Sequence, residues 1–185
     1  MKQFAALFLL SLASMLAGCA SHKAISYVDS YEEALIRFPG SPVSSRQVAE
    51  GFSSLYASLK GPDLARRVDE VYAEDLFFGD TLHTYHSREE LRDYLLLTAE
   101  RVENIEVDVR HVLVDGNDVW LNWGMKTSAK ALGRTMHAET IGMTHLRFNS
   151  RGQVVLHQDY WDSSEGVLIH IPFIGGLVRW TRNQL

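Results

Sequence analysis

The chain has 185 residues, with 18 Lys and Arg against 23 Asp and Glu, and a formal net charge of −5 at pH 7. This acidic balance argues against a general nucleic-acid-binding protein, because such a protein needs a basic face to neutralise phosphates. The single cysteine, Cys19, excludes an intramolecular disulfide. Beyond the first 18 residues, the remaining length suits one domain built around a single core.

The first residues have the layout of a secretory signal, with Lys2 followed by an apolar run and then small residues. The run is too short to favour a membrane-spanning helix. The motif LAGC, which ends at Cys19, resembles the bacterial lipoprotein signal, in which the cysteine is acylated and becomes the first mature residue. This resemblance implies that residues 1–18 are removed and that acyl chains on Cys19 hold the protein on a lipid bilayer. Because Ala20 follows the cysteine, the implied location is the outer membrane of the cell envelope, facing the periplasm. An ordinary signal peptide with an incidental cysteine is the alternative.

Three capping boxes, each a serine followed three residues later by Glu or Gln, predict helices that start at Ser30, Ser44 and Ser87. Apolar residues recur at helical spacing after each of these serines. A short helix is also predicted over residues 63–72. We therefore expect residues 19–42 to form a tether and a short N-terminal helix.

After the third of these helices the apolar spacing changes from helical to alternating, which predicts long strands. The sequence DGND at residues 115–118 predicts one hairpin turn, and residues 149–152 predict a second. Helices that precede consecutive hairpins indicate an α+β fold, with a curved antiparallel sheet wrapped over the N-terminal helices as a cone. We assign this cone domain, with a C-terminal helical tail, to residues 43–185.

The sequence contains the segments VYAEDLFFGDTLHTYHSREELRDYL and GMTHLRFNSRGQVVLHQDYWD. These two segments resemble the SnoaL-like domains of the ketosteroid-isomerase and nuclear-transport-factor superfamily. The resemblance covers residues 43–180 and implies a cone with a deep apolar pocket. The superfamily includes isomerases, polyketide cyclases, dehydratases and pure binding modules, so the fold does not select one function.

Strand alternation predicts which side chains line this pocket. The apolar set on VWLNWGM shares one face, and Trp161 shares a face of the last strand with Asp159. On MHAETIGMTHLRF the alternation is ambiguous, because a bulge would exchange the two faces. Tyr85 lies at the expected pocket rim. The predicted pocket residues are Tyr85, Val119, Leu121, Trp123, Met125, His137, Glu139 and Trp161.

Three polar residues are candidates for acid–base chemistry. Asp159 lies among aromatic residues on the last strand, where an interior carboxylate must be hydrogen-bonded or protonated, and we expect His83 or His137 as its partner. The alternative is a structural aspartate that accepts hydrogen bonds from a neighbouring strand or a Trp N–H. Asp80 and His83 resemble positions at the pocket mouth. They could act as base and orienting group, or only tie their loop to the sheet.

Other patterns receive simpler interpretations. Asp162, with Glu165 three residues later, predicts the N-cap of a short helix. We expect no metal and no cofactor, because metal-ligand spacings and phosphate-cradling glycine loops do not occur in the sequence. In the tail, Ile174, Leu177, Val178 and Trp180 would share one helical face, either packed on the cone or in contact with an anionic membrane surface.

Three functions remain open at this point. The first is a membrane-tethered module that binds a small hydrophobic ligand. The second is a cofactor-free isomerase, cyclase or hydratase that uses Asp159, or Asp80 with His83, as acid and base. The third is a scaffold that forms a homodimer through its sheet.

Overall fold

In the computed structural model the chain divides into two compact units, Met1–Glu33 and Ala34–Leu185. The predicted signal and the lipidation residue Cys19 lie outside the described residues. Within the described part of the chain, no helix is both long enough and apolar enough to cross a membrane. The structure describes residues 26–56, 59–131, 134–171 and 173–184.

Four helices precede the long strands or lie between the first strands. Two of them begin with the predicted capping boxes: the Ser87 hydroxyl accepts a hydrogen bond from Glu90 N, and the Glu90 carboxylate accepts one from Ser87 N. Ser44 and Gln47 exchange the same pair of bonds. The predicted start at Ser30 is wrong, because the first helix begins three residues earlier. The four helices are α1 (Tyr27–Arg37), α2 (Ser45–Tyr56), α3 (Leu64–Val71) and α4 (Arg88–Arg101).

Six strands form one sheet in the order β2-β1-β6-β5-β4-β3. The β3–β4 hairpin turns at Gly116, whose φ of +62° suits a residue without a side chain. Neighbouring strands are antiparallel except for β1 and β6, which pair in parallel. The strands are β1 (Tyr72–Gly79), β2 (Thr84–Ser87), β3 (Val102–Asp115), β4 (Asp118–Ala131), β5 (Arg134–Phe148) and β6 (Val154–Trp161).

The sheet is curved and does not close on itself, and its concave face packs on α2, α3 and α4. The apolar stripes of these helices supply fully buried residues such as Leu55, Val68 and Leu91. Across from them, Leu121 and Leu146 are equally buried on β4 and β5. The predicted α+β class, with a curved sheet over the helices, is therefore confirmed.

Beyond β6 the chain forms α5 (Ser163–Gly166), a 3₁₀ turn (Leu168–His170) and α6 (Ile174–Arg182). The Asp162 carboxylate accepts hydrogen bonds from the backbone N–H groups of Ser164 and Glu165, at 2.9 and 3.2 Å. Asp162 is thus the N-cap of α5, as its spacing to Glu165 predicts.

Candidate functional site

A cavity of about 210 Å³ lies between the concave face of the sheet and helices α2 and α4. Most of its wall is aliphatic or aromatic, because the inward-facing residues of α2, β3 and β4 are apolar. Polar side chains are few and are concentrated on two strands and the loop after β1. Those that matter for chemistry are Asp80, Thr144, His157 and Asp159.

Asp159 points into this cavity from β6 and is held by two neighbours. Its Oδ1 accepts a hydrogen bond from the Thr144 hydroxyl at 2.5 Å and lies 3.0 Å from His157 Nε2. The Thr144 oxygen in turn accepts a bond from Trp123 Nε1 at 2.8 Å. A single carboxylate is therefore fixed in an apolar wall by one hydroxyl and one imidazole.

Behind Asp159 a chain of hydrogen bonds continues into the core. His157 is 1% exposed, and its Nδ1 lies 2.8 Å from the Tyr72 hydroxyl. The Tyr72 hydroxyl lies 2.7 Å from the hydroxyl of Tyr56, which also lines the cavity. We call these four residues, Tyr56, Tyr72, His157 and Asp159, the polar chain.

Protonation is constrained along the polar chain. Burial raises the pKa of Tyr72 and that of Tyr56 far above the ordinary value of 10.0, so both phenols keep their protons at neutral pH. When Asp159 is ionised, His157 Nε2–H donates to it, and Nδ1 of the neutral imidazole must then accept from Tyr72. In this orientation the carboxylate, the imidazole and the two phenols form one continuous line of hydrogen bonds from the cavity into the core.

The expected partner of Asp159 was wrong. His83 and His137 were predicted, but His157 holds the carboxylate. Residues i and i+2 of a strand lie on one face, so the His-x-Asp spacing on β6 carried this signal. Tyr56 and Tyr72 had no comparable local signal.

Asp80 is the second carboxylate on the cavity wall. Its Oδ1 accepts bonds from the backbone N–H groups of Leu82 and His83, and its Oδ2 accepts one from the Tyr94 hydroxyl at 2.5 Å. The Trp161 indole N–H donates to the Asp80 carbonyl at 2.7 Å. The Asp80 carboxylate therefore ties its loop together while one side faces the cavity.

His83 belongs to this loop, but its side chain does not line the cavity. Its Nδ1 is 3.4 Å from Asp80 Oδ2, and its side chain is about half exposed. Its ring lies 4.9 Å from that of Tyr94, and the Tyr85 ring lies 5.1 Å from Tyr94 on the same flank. Burial raises the pKa of Tyr94, as does the neighbouring Asp80 charge, so this phenol remains a donor to Asp80.

The other predicted pocket residues divide into four groups, of which His137 and Glu139 form the last. Trp123, Met125 and Trp161 line the cavity. Val119 and Leu121 face the same side of β4 but are fully buried in the core, outside the cavity wall. Tyr85 packs on the flank described above and is also outside that wall.

His137 and Glu139 are exposed on the convex side of the sheet, so their predicted place in the pocket is wrong. The β4–β5 register runs without a shift from Val119 opposite Leu146 to Ala131 opposite Arg134. Without a bulge, the alternation fixed by buried Thr144 and Leu146 continues along β5 and turns both odd-numbered residues outward.

Among the residues that the structure describes, no cluster of three or more His, Cys, Asp or Glu side chains could hold a metal ion. The chemistry that the cavity offers with its own side chains is hydrophobic binding together with proton transfer at Asp159 or Asp80.

The model of the SnoaL-like domain family matches residues 52–157, which is more than half of the chain. The protein belongs to the SnoaL-like domain family. The matched segment begins at Phe52, where α2 lines the cavity, and ends at His157 of the polar chain. Asp159, Trp161 and Val167, which also line the cavity, follow the matched segment. No curated protein matches this chain.

Solved structures agree with this fold. A protein of Shewanella denitrificans OS-217 described as a SnoaL-like polyketide cyclase has a TM-score of 0.57 and 16% identity, over 65% of this chain and 92% of its own. A Catenulispora acidiphila protein with a ketosteroid isomerase-like fold, solved with trimethylamine, has a TM-score of 0.54 and 19% sequence identity. The similarity covers 64% of this chain and 89% of that protein. A phenazine biosynthesis-related protein of Pseudomonas aeruginosa has a TM-score of 0.54 and 14% sequence identity. The similarity covers 73% of this chain and 87% of that protein. Identities this low carry the fold alone.

Proposed function

We propose that this SnoaL-like protein binds a small hydrophobic molecule in the cavity. The observation that carries the proposal is an apolar space of about 210 Å³ whose few polar groups converge from β5, β6 and the loop after β1. Small-molecule sites have this composition, with apolar walls for affinity and a few polar groups for orientation. The solved Catenulispora acidiphila protein, which has the same fold, is in complex with a small molecule, trimethylamine.

Ligand binding can be tested by thermal-shift screening of small hydrophobic molecules. Hits are then titrated by tryptophan fluorescence, since Trp123 and Trp161 both line the cavity. Val107→Phe narrows the cavity from β3 and should abolish binding. Leu113→Phe, at a position on the same strand that is 64% exposed, is the matched control and should bind normally. Equal binding by both variants would place the ligand elsewhere.

A second candidate function is cofactor-free proton transfer on the bound molecule, as in an isomerase, cyclase or hydratase. The polar chain favours it, because an ionised Asp159 in an apolar wall can take a proton from the ligand and return it. His157 would keep the carboxylate oriented, and Tyr72 would keep the imidazole in one tautomer. Asp80, with three hydrogen-bond donors on its carboxylate, is better placed to orient a ligand than to exchange protons.

Asp159→Asn separates binding from catalysis. The amide keeps the shape of the carboxylate and can still accept from Thr144, so the variant should fold and bind the ligand normally. Turnover of the same ligand should be lost, because an amide does not cycle a proton at neutral pH. Unchanged turnover would exclude Asp159 as acid or base. Absence of turnover in the unmodified protein leaves the binding function alone.

We further propose that the protein is a lipoprotein anchored through acylated Cys19, at the outer membrane facing the periplasm. The LAGC motif and the apolar segment before it support this location. Intact-mass analysis of the mature protein should show acyl chains on an N-terminal Cys19, and Cys19→Ser should leave the membrane fraction. An unmodified Cys19 would refute the anchor without bearing on the cavity.

Homodimerisation is supported by an apolar area on the convex face of the sheet. Met143 and Tyr160 are cross-strand partners there and are 44% and 38% exposed, and Ile141 is 64% exposed. Burying such a surface is the usual driving force for a dimer. Sedimentation of Ile141→Lys/Met143→Lys should give a monomer if the unmodified protein is a dimer through this face.

A further inference from the structure

The C-terminal helix α6 carries an apolar face that the rest of the described chain does not cover. Ile174, Leu177 and Trp180 follow each other at three-residue spacing, so they lie along one side of the helix. They are 44%, 62% and 61% exposed, and Phe173, which precedes the helix, is 96% exposed. Isolated exposed apolar residues are ordinary, but three large ones on one helical face with a fourth directly before the helix indicate an interaction surface. We call these four residues the tail face.

The opposite side of α6 is fixed against the protein. Gly175 is buried, and a side-chain Cβ at its position would lie 2.1 Å from the Ile169 carbonyl oxygen, so only glycine allows this approach. Arg179 donates to that same carbonyl at 3.2 Å. Arg182 forms ion pairs with Asp162, at 2.8 Å, and with Glu165. The helix is therefore held in one rotation, and that rotation presents the tail face outward.

The charge of this segment differs from that of the whole chain. Residues 166–185 contain two arginines and no Asp or Glu, although the chain as a whole has a formal net charge of −5. Arg182 is neutralised by its ion pairs, so Arg179 is the cation of this segment that has no acidic partner among the described residues. A segment that is apolar on one side and carries such a cation is complementary to a surface that is itself apolar below and anionic above.

We propose that the tail face lies on the surface of a lipid bilayer that contains anionic headgroups. Phe173, Ile174 and Leu177 enter the boundary of the acyl chains, and Trp180 takes the interfacial position that indole rings prefer. Arg179 stays at the level of the phosphates. A second copy of the chain is a poorer occupant, since a nine-residue helix offers much less than the roughly 800 Å² per partner of a standard interface.

The test uses the chain from residue 19 with Cys19→Ser, so that no acyl chain contributes to binding. Removing residues 1–18 leaves the compact unit Ala34–Leu185 whole. Binding is measured by co-sedimentation with vesicles of phosphatidylglycerol and phosphatidylcholine in equal parts, and with phosphatidylcholine alone. We expect binding to the mixed vesicles that weakens with added salt, and weaker binding to phosphatidylcholine.

Replacing Phe173, Leu177 and Trp180 together by serine should lower the partition coefficient for the mixed vesicles by at least about tenfold, because most of the inserted apolar surface is lost. The control Ile36→Ser/Leu113→Ser removes two side chains elsewhere that are 83% and 64% exposed, and it should bind unchanged. Phe173→Gly is a second variant that cannot unfold the domain by strain, because Phe173 has a φ of +65° that glycine adopts freely. It should bind more weakly at unchanged or higher thermal stability.

Three results would overturn the proposal. One is absence of vesicle binding by the unmodified chain, and another is equal binding by the unmodified chain and the triple serine variant. The third is a dimer in sedimentation that the triple variant converts to a monomer, which would assign the tail face to a second copy. Each of these three results is independent of ligand binding in the cavity, since the variants leave Val107 and Asp159 unchanged.

Discussion

Thr144→Val is the most direct test of how Asp159 is held. Valine has nearly the shape of threonine, so no cavity opens, but the bridging hydroxyl between Trp123 and Asp159 disappears. Thr144 is 0% exposed and Trp123 is 5% exposed, so water cannot easily replace the bond that the indole N–H loses. The variant should therefore lose stability without a change of fold.

The magnitude follows from two losses. Leaving the buried Trp123 N–H without an acceptor costs about 1–3 kcal/mol, and removing a donor from a carboxylate costs about 1.5–3 kcal/mol. The Asp159 side chain is 17% exposed at the cavity, so solvent recovers part of the second loss. We expect a decrease of about 2–4 kcal/mol in the free energy of unfolding, which is large for a substitution that conserves volume.

Urea unfolding gives this quantity, and the slope of the transition should not change. A buried threonine on the same face, Thr140, is the matched control: its hydroxyl makes a bond of 3.4 Å to the Ile141 carbonyl, so Thr140→Val should cost less than about 1 kcal/mol. In a Trp123→Phe background, Thr144→Val should cost about 1 kcal/mol less, since no indole N–H remains to be orphaned. Strict additivity of the two changes, or a loss below about 0.5 kcal/mol for Thr144→Val, would refute the bridging role.

Two further predictions concern stability. Burial lowers the pKa of His145 below its ordinary value of 6.5, so the folded state favours the neutral imidazole. The stabilisation of the folded state by neutral His145 is therefore complete above pH 6.5 and is lost as the pH falls below that value. Thermal unfolding from pH 7.5 to 5 should show a loss of stability that His145→Gln makes shallower, and parallel profiles would contradict this. Gly142→Ala places a Cβ 2.4 Å from the Trp123 ring and should cost about 1–3 kcal/mol in urea unfolding. In α2, a Cβ at Gly51 would meet no atom within 4 Å, so Gly51→Ala should instead stabilise the protein by up to about 1 kcal/mol. Equal changes in stability for Gly142→Ala and Gly51→Ala would show that crowding at Trp123 is not the cause.

The sequence predicted those parts of the fold that depend on neighbouring residues. The capping box at Ser87 and the turn at Gly116 are decided within four residues, and both form as expected. The inward face of β4 was also predictable, because its alternating residues differ clearly in polarity. On β5 both faces carry polar residues, so only the register with β4 decided that His137 and Glu139 face outward.

The candidate site was harder to predict because it joins distant parts of the chain. Asp159 could be placed on the inner face by alternation alone. The hydrogen bond between Tyr72 and His157 in the polar chain joins residues that are 85 positions apart in the sequence. Tyr56 then contacts Tyr72 from the end of helix α2. No periodicity along the sequence encodes such a meeting, because it depends on how β1 packs beside β6.

The parallel pairing of β1 with β6 has a consequence for how the protein folds. Strands β3 to β6 are joined in sequence, so their hairpins can form from local contacts as the chain is synthesised. Strand β1 is made early but finds its partner only after β6 has been completed. Until then β1 pairs only with β2, and its other edge remains open to association with other chains. Substitutions that weaken β6 should therefore increase aggregation during synthesis more than their effect on the finished protein suggests.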